Sequence, residues 1–364
     1  MNSALRCHAC GTEFEPACER FRCDCGGLLD LAPFAVRWAP DPAERSLFRY
    51  AAALPCDEAC WRPLTLGEGL TPMVPFDPAD PSVLLKLDYA MPTLSFKDRG
   101  AVLVVAQARA LGARRLVQDS SGNAGAAVAA YAARAGLPCD IFVPAATSAR
   151  KTAQIAAYGA RVVAVPGSRE DTARAALEAA CRPGCRYASH VYDPMFFQGT
   201  KTYVYEIFEA LDGRLPEQLF LPLGNGTLVL GVYLGLLDLR AQGLLRTFPK
   251  VVAVQAEGCT PIQRAHAGGA ARVAPVENRG TDAEGIAIAA PLRGTQILAA
   301  LRELGAEVVA APEAGLAAAK AELASRGFHV ETTSAAAWAA FRSRPRRPGQ
   351  TVVVPLCGAG LKGC

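Results

Sequence analysis

Four cysteines, one lysine and two glycine-punctuated loops are the residues of this sequence whose types and spacing could do chemistry. Cys7, Cys10, Cys23 and Cys25 stand as Cys-x2-Cys-Gly followed by Cys-x-Cys-Gly-Gly. Two glycine-supported turns that carry thiolates can close a tetrahedral site, and structural zinc is its natural occupant. The second half is tighter than the usual Cys-x2-Cys, Cys18 is a spare candidate, and metal-free thiols are the alternative. Lys97 lies in Ser95-Phe96-Lys97-Asp98-Arg99-Gly100 at the start of an expected helix. A lysine on a helix surface is ordinarily solvated. One that follows an aromatic at a loop-helix junction can be desolvated, which gives the lowered pKa that Schiff-base chemistry requires. Asp119-Ser120-Ser121-Gly122-Asn123-Ala124-Gly125 opens an alanine-rich helix, whose first backbone N–H groups suit a carboxylate or phosphate; the alternative is an ordinary serine or asparagine cap. Pro222-Leu223-Gly224-Asn225-Gly226-Thr227 also enters a helix, with glycines that let amides approach a phosphate and a threonine hydroxyl beside them. A simple tight turn is the alternative there.

These residues need elements to position them. From Val83 onward, short β-branched or leucine-rich runs alternate with longer alanine-rich helical patterns. Strands are expected at Val83–Leu87, Leu116–Gln118, Ile141–Val143, Val162–Val165, Leu219–Leu221, Val251–Val254, Glu307–Val309 and Thr351–Val354. Helices such as Ala101–Leu111, Gly125–Ala135, Arg150–Tyr158, Thr202–Leu211 and Leu228–Gln242 lie between them. Strands apolar on both faces, alternating with helices, make an α/β chain with open parallel sheets covered by helices. Such sheets bind ligands beyond the carboxyl ends of their strands, where the two loops stand. The first thirty residues read as a separate knuckle, and Ala32 to Arg62, rich in Pro, Asp and Arg, as a linker.

The balance of the chain excludes several function classes. With 364 residues, 51% hydrophobic and 20% charged, it is long enough for two domains and a small appendage. Its net charge of +4 is scattered, so neither nucleic acid nor an anionic membrane is an expected partner. Arg, Asp, Gly or Pro interrupts each apolar run, so no membrane span is expected. The 13 cysteines are odd in number, and the first residues lack the apolar run of a signal peptide, so a reducing cytoplasm is expected. Cys56, Cys60, Cys181 and Cys185 pair without a matching second pair and read as core or surface thiols.

Taken together, the segments resemble the threonine synthase branch of the fold-type II pyridoxal-phosphate enzymes. The resemblance runs through Leu66-Gly67-Glu68-Gly69-Leu70-Thr71-Pro72, the Lys97 and Asn123 motifs, Gly199-Thr200-Lys201-Thr202 and Gly224-Asn225-Gly226-Thr227. It continues through Glu331-Thr332-Thr333-Ser334 and Leu356-Cys357-Gly358-Ala359-Gly360-Leu361-Lys362. It implies two open, mostly parallel sheets covered by helices, plus a zinc-ribbon-like knuckle over 1–31. A linker and the start of the large domain would cover 32–85, a lid-like smaller domain 86–190 and the large cofactor domain 191–364. Lys97 would form the Schiff base with pyridoxal 5'-phosphate. Asn123 would hydrogen-bond the cofactor's phenolic oxygen, Gly224, Asn225, Gly226 and Thr227 would cradle its phosphate, and Cys357 would stand beside the pyridine nitrogen. Ser120, Ser121, Gly122 and Ala124 would hold the substrate carboxylate. The implied activity is elimination or replacement at the β or γ carbon of a small amino acid, and the implied assembly is a homodimer.

Several positions depart from the family pattern. Leu94 takes the place of a glycine before the lysine motif. Phe196 replaces an arginine that helps hold the substrate phosphate, in Asp193-Pro194-Met195-Phe196-Phe197-Gln198-Gly199-Thr200-Lys201-Thr202. Ala124 stands where threonine is common, and Cys357 where serine or threonine is usual; a small buried hydrophobe is the alternative for Cys357. A neutral partner at the pyridine nitrogen disfavours transamination and leaves elimination and replacement. The departures gather on the substrate side, so altered substrate choice is expected, with His190 and Lys201 as candidates for the missing positive charge and a capping or core role as an equal alternative for His190. A serine or threonine ammonia-lyase, a β-replacement synthase, or a catalytically idle cofactor-binding protein are the competing readings.

Overall fold

The computed structural model describes residues 4–15 and 20–362. In chain order its first elements are β1 (Leu5–Cys7), β2 (Glu13–Phe14), β3 (Leu29–Leu31), α1 (Glu58–Trp61), β4 (Met73–Asp77), β5 (Asp80–Lys86) and α2 (Lys97–Ala110). Then come β6 (Arg115–Gln118), α3 (Asn123–Ala135), β7 (Cys139–Pro144), α4 (Ala149–Ala157), β8 (Arg161–Val165), α5 (Arg169–Ala180), β9 (Cys185–Tyr187), α6 (Met195–Thr200) and α7 (Thr202–Ala210). The chain continues with β10 (Gln218–Pro222), α8 (Thr227–Ala241), β11 (Lys250–Ala256), α9 (Pro261–Ala267), α10 (Gly294–Glu303), β12 (Glu307–Ala311), α11 (Glu313–Ser325), α12 (Thr332–Arg342) and β13 (Val352–Pro355). Among the described residues no helix is long and apolar enough to cross a membrane.

These elements form two compact units, one of the residues up to Gly69 with Lys97–Thr200, the other of Leu70–Phe96 with Lys201–Cys364. In the first, β8-β7-β6-β9 make a parallel four-stranded sheet. Successive residues of a strand face opposite sides, and the packing follows that period. Leu116, Ile141 and Val143 join α2 and α3 on one face, while Val117 and Phe142 join α5 and Tyr187 on the other. The knuckle is a small antiparallel sheet in the order β2-β1-β3.

The second unit carries six strands in the order β12-β11-β10-β13-β5-β4, parallel except for the β4–β5 pair. Helix α12 packs Trp338 and its alanines onto β5, β10, β11 and β13. Every strand expected from the sequence is present, and both large sheets are parallel or mostly so. Strand β4 escaped the periodicity because Pro75 interrupts it, and a proline is tolerated at the sheet edge where β4 lies.

The expected linker is core. Leu47, Phe48, Leu54, Trp61 and Leu64 are buried with α2 and α3, and Phe48 stacks on Trp61 at 4.0 Å between ring centroids. Residues up to Gly69 therefore belong with the Lys97 unit rather than opening the other one. The charged residues that made the segment look like a linker surround a few large apolar anchors, too sparse to register as a period.

Candidate active site

Lys97 is the first residue of α2, and Asp98 through Ala108 behind it are buried. Helix α2 comes very close to α6, and two glycines permit the approach. A Cβ on Gly100 would lie 2.3 Å from the Phe196 ring, and one on Gly199 would lie 1.8 Å from the Arg99 carbonyl oxygen. Phe196 is fully buried, and the Lys97 Nζ stands 5.6 Å from its ring centroid. His190 meets the same ring edge-on at 5.9 Å, and its Nδ1 is buried with no hydrogen-bond partner among the described residues. Burial pushes the His190 pKa well below its usual range, and the charges of Lys97 and Arg169 push it further. The imidazole is therefore neutral at pH 7 and carries no positive charge.

In the same unit, Asn123 is the first residue of α3, and Ser120, Ser121 and Gly122 form the open turn before it, with Ala124 buried behind. A Cβ on Gly125 would lie 1.9 Å from the Ser120 carbonyl oxygen, so the turn folds back directly onto the helix and only glycine fits there. Asp119 anchors the other side of the turn, accepting from Tyr187 Oη at 2.8 Å and from Arg169 at 2.7 Å. Glu68, of the Gly-Glu-Gly segment, is also buried: its Oε2 accepts from Tyr131 of α3 at 2.9 Å and from the Leu66 N–H at 2.8 Å. Burial raises its pKa.

The second unit holds the remaining candidates. Gly224, Asn225, Gly226 and Thr227 turn from β10 into α8, Gly226 in the left-handed region at φ +78°. A Cβ on Gly224 would lie 2.9 Å from the Ile286 Cα and 3.0 Å from the Gly285 oxygen. A side chain is thus excluded at Gly224, and the turn brings backbone amides to the start of a 15-residue helix, a donor set that fits a phosphate. Cys357 follows β13 and is buried. Its N–H donates to Ser334 Oγ at 2.8 Å, and its carbonyl accepts from the N–H of Phe96, the residue before Lys97, at 2.9 Å. Ser334 was legible only as part of a motif; its role as the brace of Cys357 needed the fold. Leu94, in the family's glycine place, adopts φ +64°, a conformation glycine takes freely and leucine at a cost.

Lys201 was expected at the substrate. Its ammonium instead pairs with Asp238 of α8 at 2.9 Å and is buried, and Tyr205 donates to the same carboxylate. Burial lowers its pKa while Asp238 opposes the shift. It is a structural ion pair between α7 and α8, and this corrects the substrate reading of Lys201.

In the knuckle, the sulfurs of Cys7, Cys10, Cys23 and Cys25 all lie within 4.8 Å of one another. Cys7 and Cys25 are 3.5 Å apart, Cys10 and Cys23 3.6 Å, and Cys10 and Cys25 3.5 Å. A tetrahedral zinc with bonds of about 2.3 Å would place its sulfurs roughly 3.8 Å apart, so the donor set fits. A Cβ on Gly27 would lie 2.6 Å from the Cys7 sulfur, which explains the second glycine of the motif. Cys18 lies outside the described residues.

The sequence pattern of the family described as pyridoxal-phosphate dependent enzyme matches residues 64–358. The chain belongs to that family. It is 33% identical to a threonine synthase of Methanosarcina acetivorans over 93% of this chain and 86% of that protein. Two solved structures share the fold. One is the processed form of threonine deaminase isoform 2 from Solanum lycopersicum, at TM-score 0.67 and 24% identity over 80% of this chain and 79% of that one. The other is an L-serine ammonia-lyase from Rhizomucor miehei, at TM-score 0.70 and 23% identity over 80% and 94%. The protein is thus a threonine synthase-like, pyridoxal-phosphate-dependent lyase, of the class that eliminates or replaces a group at the β or γ carbon of an amino acid.

Proposed function

We propose that the enzyme converts O-phosphohomoserine, or a close analogue, by elimination at the γ carbon and addition of water at the β carbon, with Lys97 as the catalytic residue. The observation that carries the assignment of Lys97 is its place at the head of the buried helix α2, with its Nζ 5.6 Å from the centroid of the buried Phe196 ring. Pyridoxal phosphate, when bound, supplies the electron sink that acidifies the substrate's α carbon. Lys97 holds the cofactor and carries protons to and from the reacting carbons. Gly224, Asn225, Gly226 and Thr227 receive its phosphate, Asn123 its phenolic oxygen, and Cys357 leaves its ring nitrogen without a strong proton partner. Ser120, Ser121 and the amides at the head of α3 hold the substrate carboxylate, with Gly122 and Ala124 completing that wall.

The four knuckle thiolates hold a structural zinc ion on this reading, supported by the sulfur spacing. The enzyme acts on small amino acids as a homodimer in the cytoplasm. A second reading is favoured by the buried ring of Phe196 beside neutral His190: a serine or threonine ammonia-lyase or β-replacement synthase, which handles no phosphate group.

Product analysis separates the two. Holoenzyme is incubated separately with O-phosphohomoserine, serine, threonine, O-phosphoserine and O-acetylserine, with Lys97→Ala as control. Threonine and phosphate from the first alone support the leading reading; keto acid or replacement product from the others supports the second. Activity that survives Lys97→Ala sinks both.

A further inference from the structure

The knuckle is more than an appendage, because its aromatic wedge reaches the residue that fixes the carboxylate turn. Asp119 is 6% exposed and both of its oxygens are engaged, Oδ1 by the Tyr187 hydroxyl and Oδ2 by the Arg169 guanidinium. Its own N–H donates to Gln118 Oε1 at 2.6 Å, and Gln118 Nε2 donates to the Ala188 carbonyl at 2.7 Å. A carboxylate so engaged is spent on holding its surroundings. It pins the point where β6 ends and the Ser120 turn begins, while Gly125 presses on the turn from the helix side.

Tyr187 is itself held by the knuckle. Phe21, two residues before Cys23, meets Tyr187 edge-on at 5.5 Å and Tyr192 edge-on at 6.0 Å. Arg22 donates to the Tyr192 hydroxyl at 2.7 Å and lies 5.2 Å over its ring, and the two tyrosines are 5.3 Å apart. Phe21 and Leu28 pack on the same apolar cluster as Val117 and Tyr187. The path runs from the thiol cluster through Phe21 and Arg22 to the tyrosine pair, to Asp119, and to the turn.

We propose that Asp119 is a positioning residue for the substrate carboxylate, and that the thiol knuckle clamps it in place through Phe21 and Tyr187. The inference rests on the assignment of the Ser120 turn to the substrate carboxylate. A loosened Asp119 shifts the N–H groups of the turn, which weakens recognition of a charged carboxylate more than it weakens neutral contacts.

The test compares acids with their carboxamides. Holoenzyme is titrated with L-serine, O-phospho-L-homoserine and the two corresponding amides, and binding is read from the absorbance of the bound cofactor. Tyr187→Phe and Asp119→Asn should lose on the order of tenfold in affinity for the acid, with the amide unchanged, so that KM for the acid rises more than kcat falls. Phe21→Ala should produce a similar loss that overlaps with, rather than adds to, that of Tyr187→Phe. An unchanged acid-to-amide ratio in Tyr187→Phe and Asp119→Asn, with only the melting temperature lowered, overturns the positioning role. Fully additive losses for Phe21→Ala and Tyr187→Phe overturn the clamp. A wild-type enzyme that binds acid and amide alike removes the carboxylate assignment itself, and the inference with it.

Discussion

Gly100→Ala is the most direct probe of how α2 presents Lys97. The added methyl would lie 2.3 to 2.5 Å from three atoms of the Phe196 ring, roughly 1 to 1.7 Å short of ordinary carbon–carbon contact. The ring is fully buried and cannot swing aside, and on the facing helix Gly199 already sits against the Arg99 carbonyl. The helices must therefore separate. Overpacking of this kind costs about 1–3 kcal/mol. Residues 97 and 100 share a face of α2, so the separation moves Lys97 too, and a displacement near 1 Å lowers turnover by on the order of a hundredfold. Denaturant midpoints, kcat and the absorbance of the bound cofactor read these effects separately. The double variant Gly100→Ala/Phe196→Leu should recover most of the stability, because the smaller side chain returns the space. Gly235→Ala, whose Cβ would meet Val204 and the Lys201 carbonyl in the other unit, should lose stability without the same loss in kcat. Wild-type stability and kcat in Gly100→Ala would refute the close approach; lost stability with kcat intact would refute its link to Lys97.

Three further outcomes are expected. Because His190 binds its proton well below the usual 6.5 in the native state, the unfolded chain takes up the extra proton as pH falls below about 6.5, and native stability drops there by up to about 1.4 kcal/mol per pH unit; His190→Gln should flatten that slope in denaturant melts between about pH 7.5 and 5.5. Lys201→Met leaves Asp238 without its counter-charge, with only the Tyr205 hydroxyl still donating to it, and should destabilise the fold by about 2–4 kcal/mol, lowered by the partial exposure of Asp238, with KM for substrate unchanged; a selective rise in KM would restore a substrate role. Metal analysis should find one zinc per chain, and Cys25→Ser should lose it along with the thermal stability of the knuckle; full stability in a chelated enzyme would argue for metal-free thiols.

Particular residues show where sequence reading reached and where it stopped. The apolar runs at Val251–Val254 and Leu219–Leu221 are strands because buried parallel strands need apolar side chains on both faces, a signal carried by composition alone. Lys97, the Ser120 turn and the Gly224 turn were legible because glycine, proline and the ends of helices are local constraints, and local constraints are written in consecutive residues. The segment from Leu47 to Leu64 was not, since a handful of anchors buried against α2 and α3 has no period to betray it. The surroundings of Lys201 and His190 were not legible for a related reason. Whether a basic side chain is paired, neutral or free depends on what lies across from it, and Asp238 stands 37 residues away in sequence from Lys201. Sequence alone therefore determined the sheets, the candidate lysine and the thiol knuckle. Only the tertiary structure decided which charges are spent on holding the fold and which remain for chemistry, because desolvation and pairing are set by neighbours that the chain brings together only when it folds.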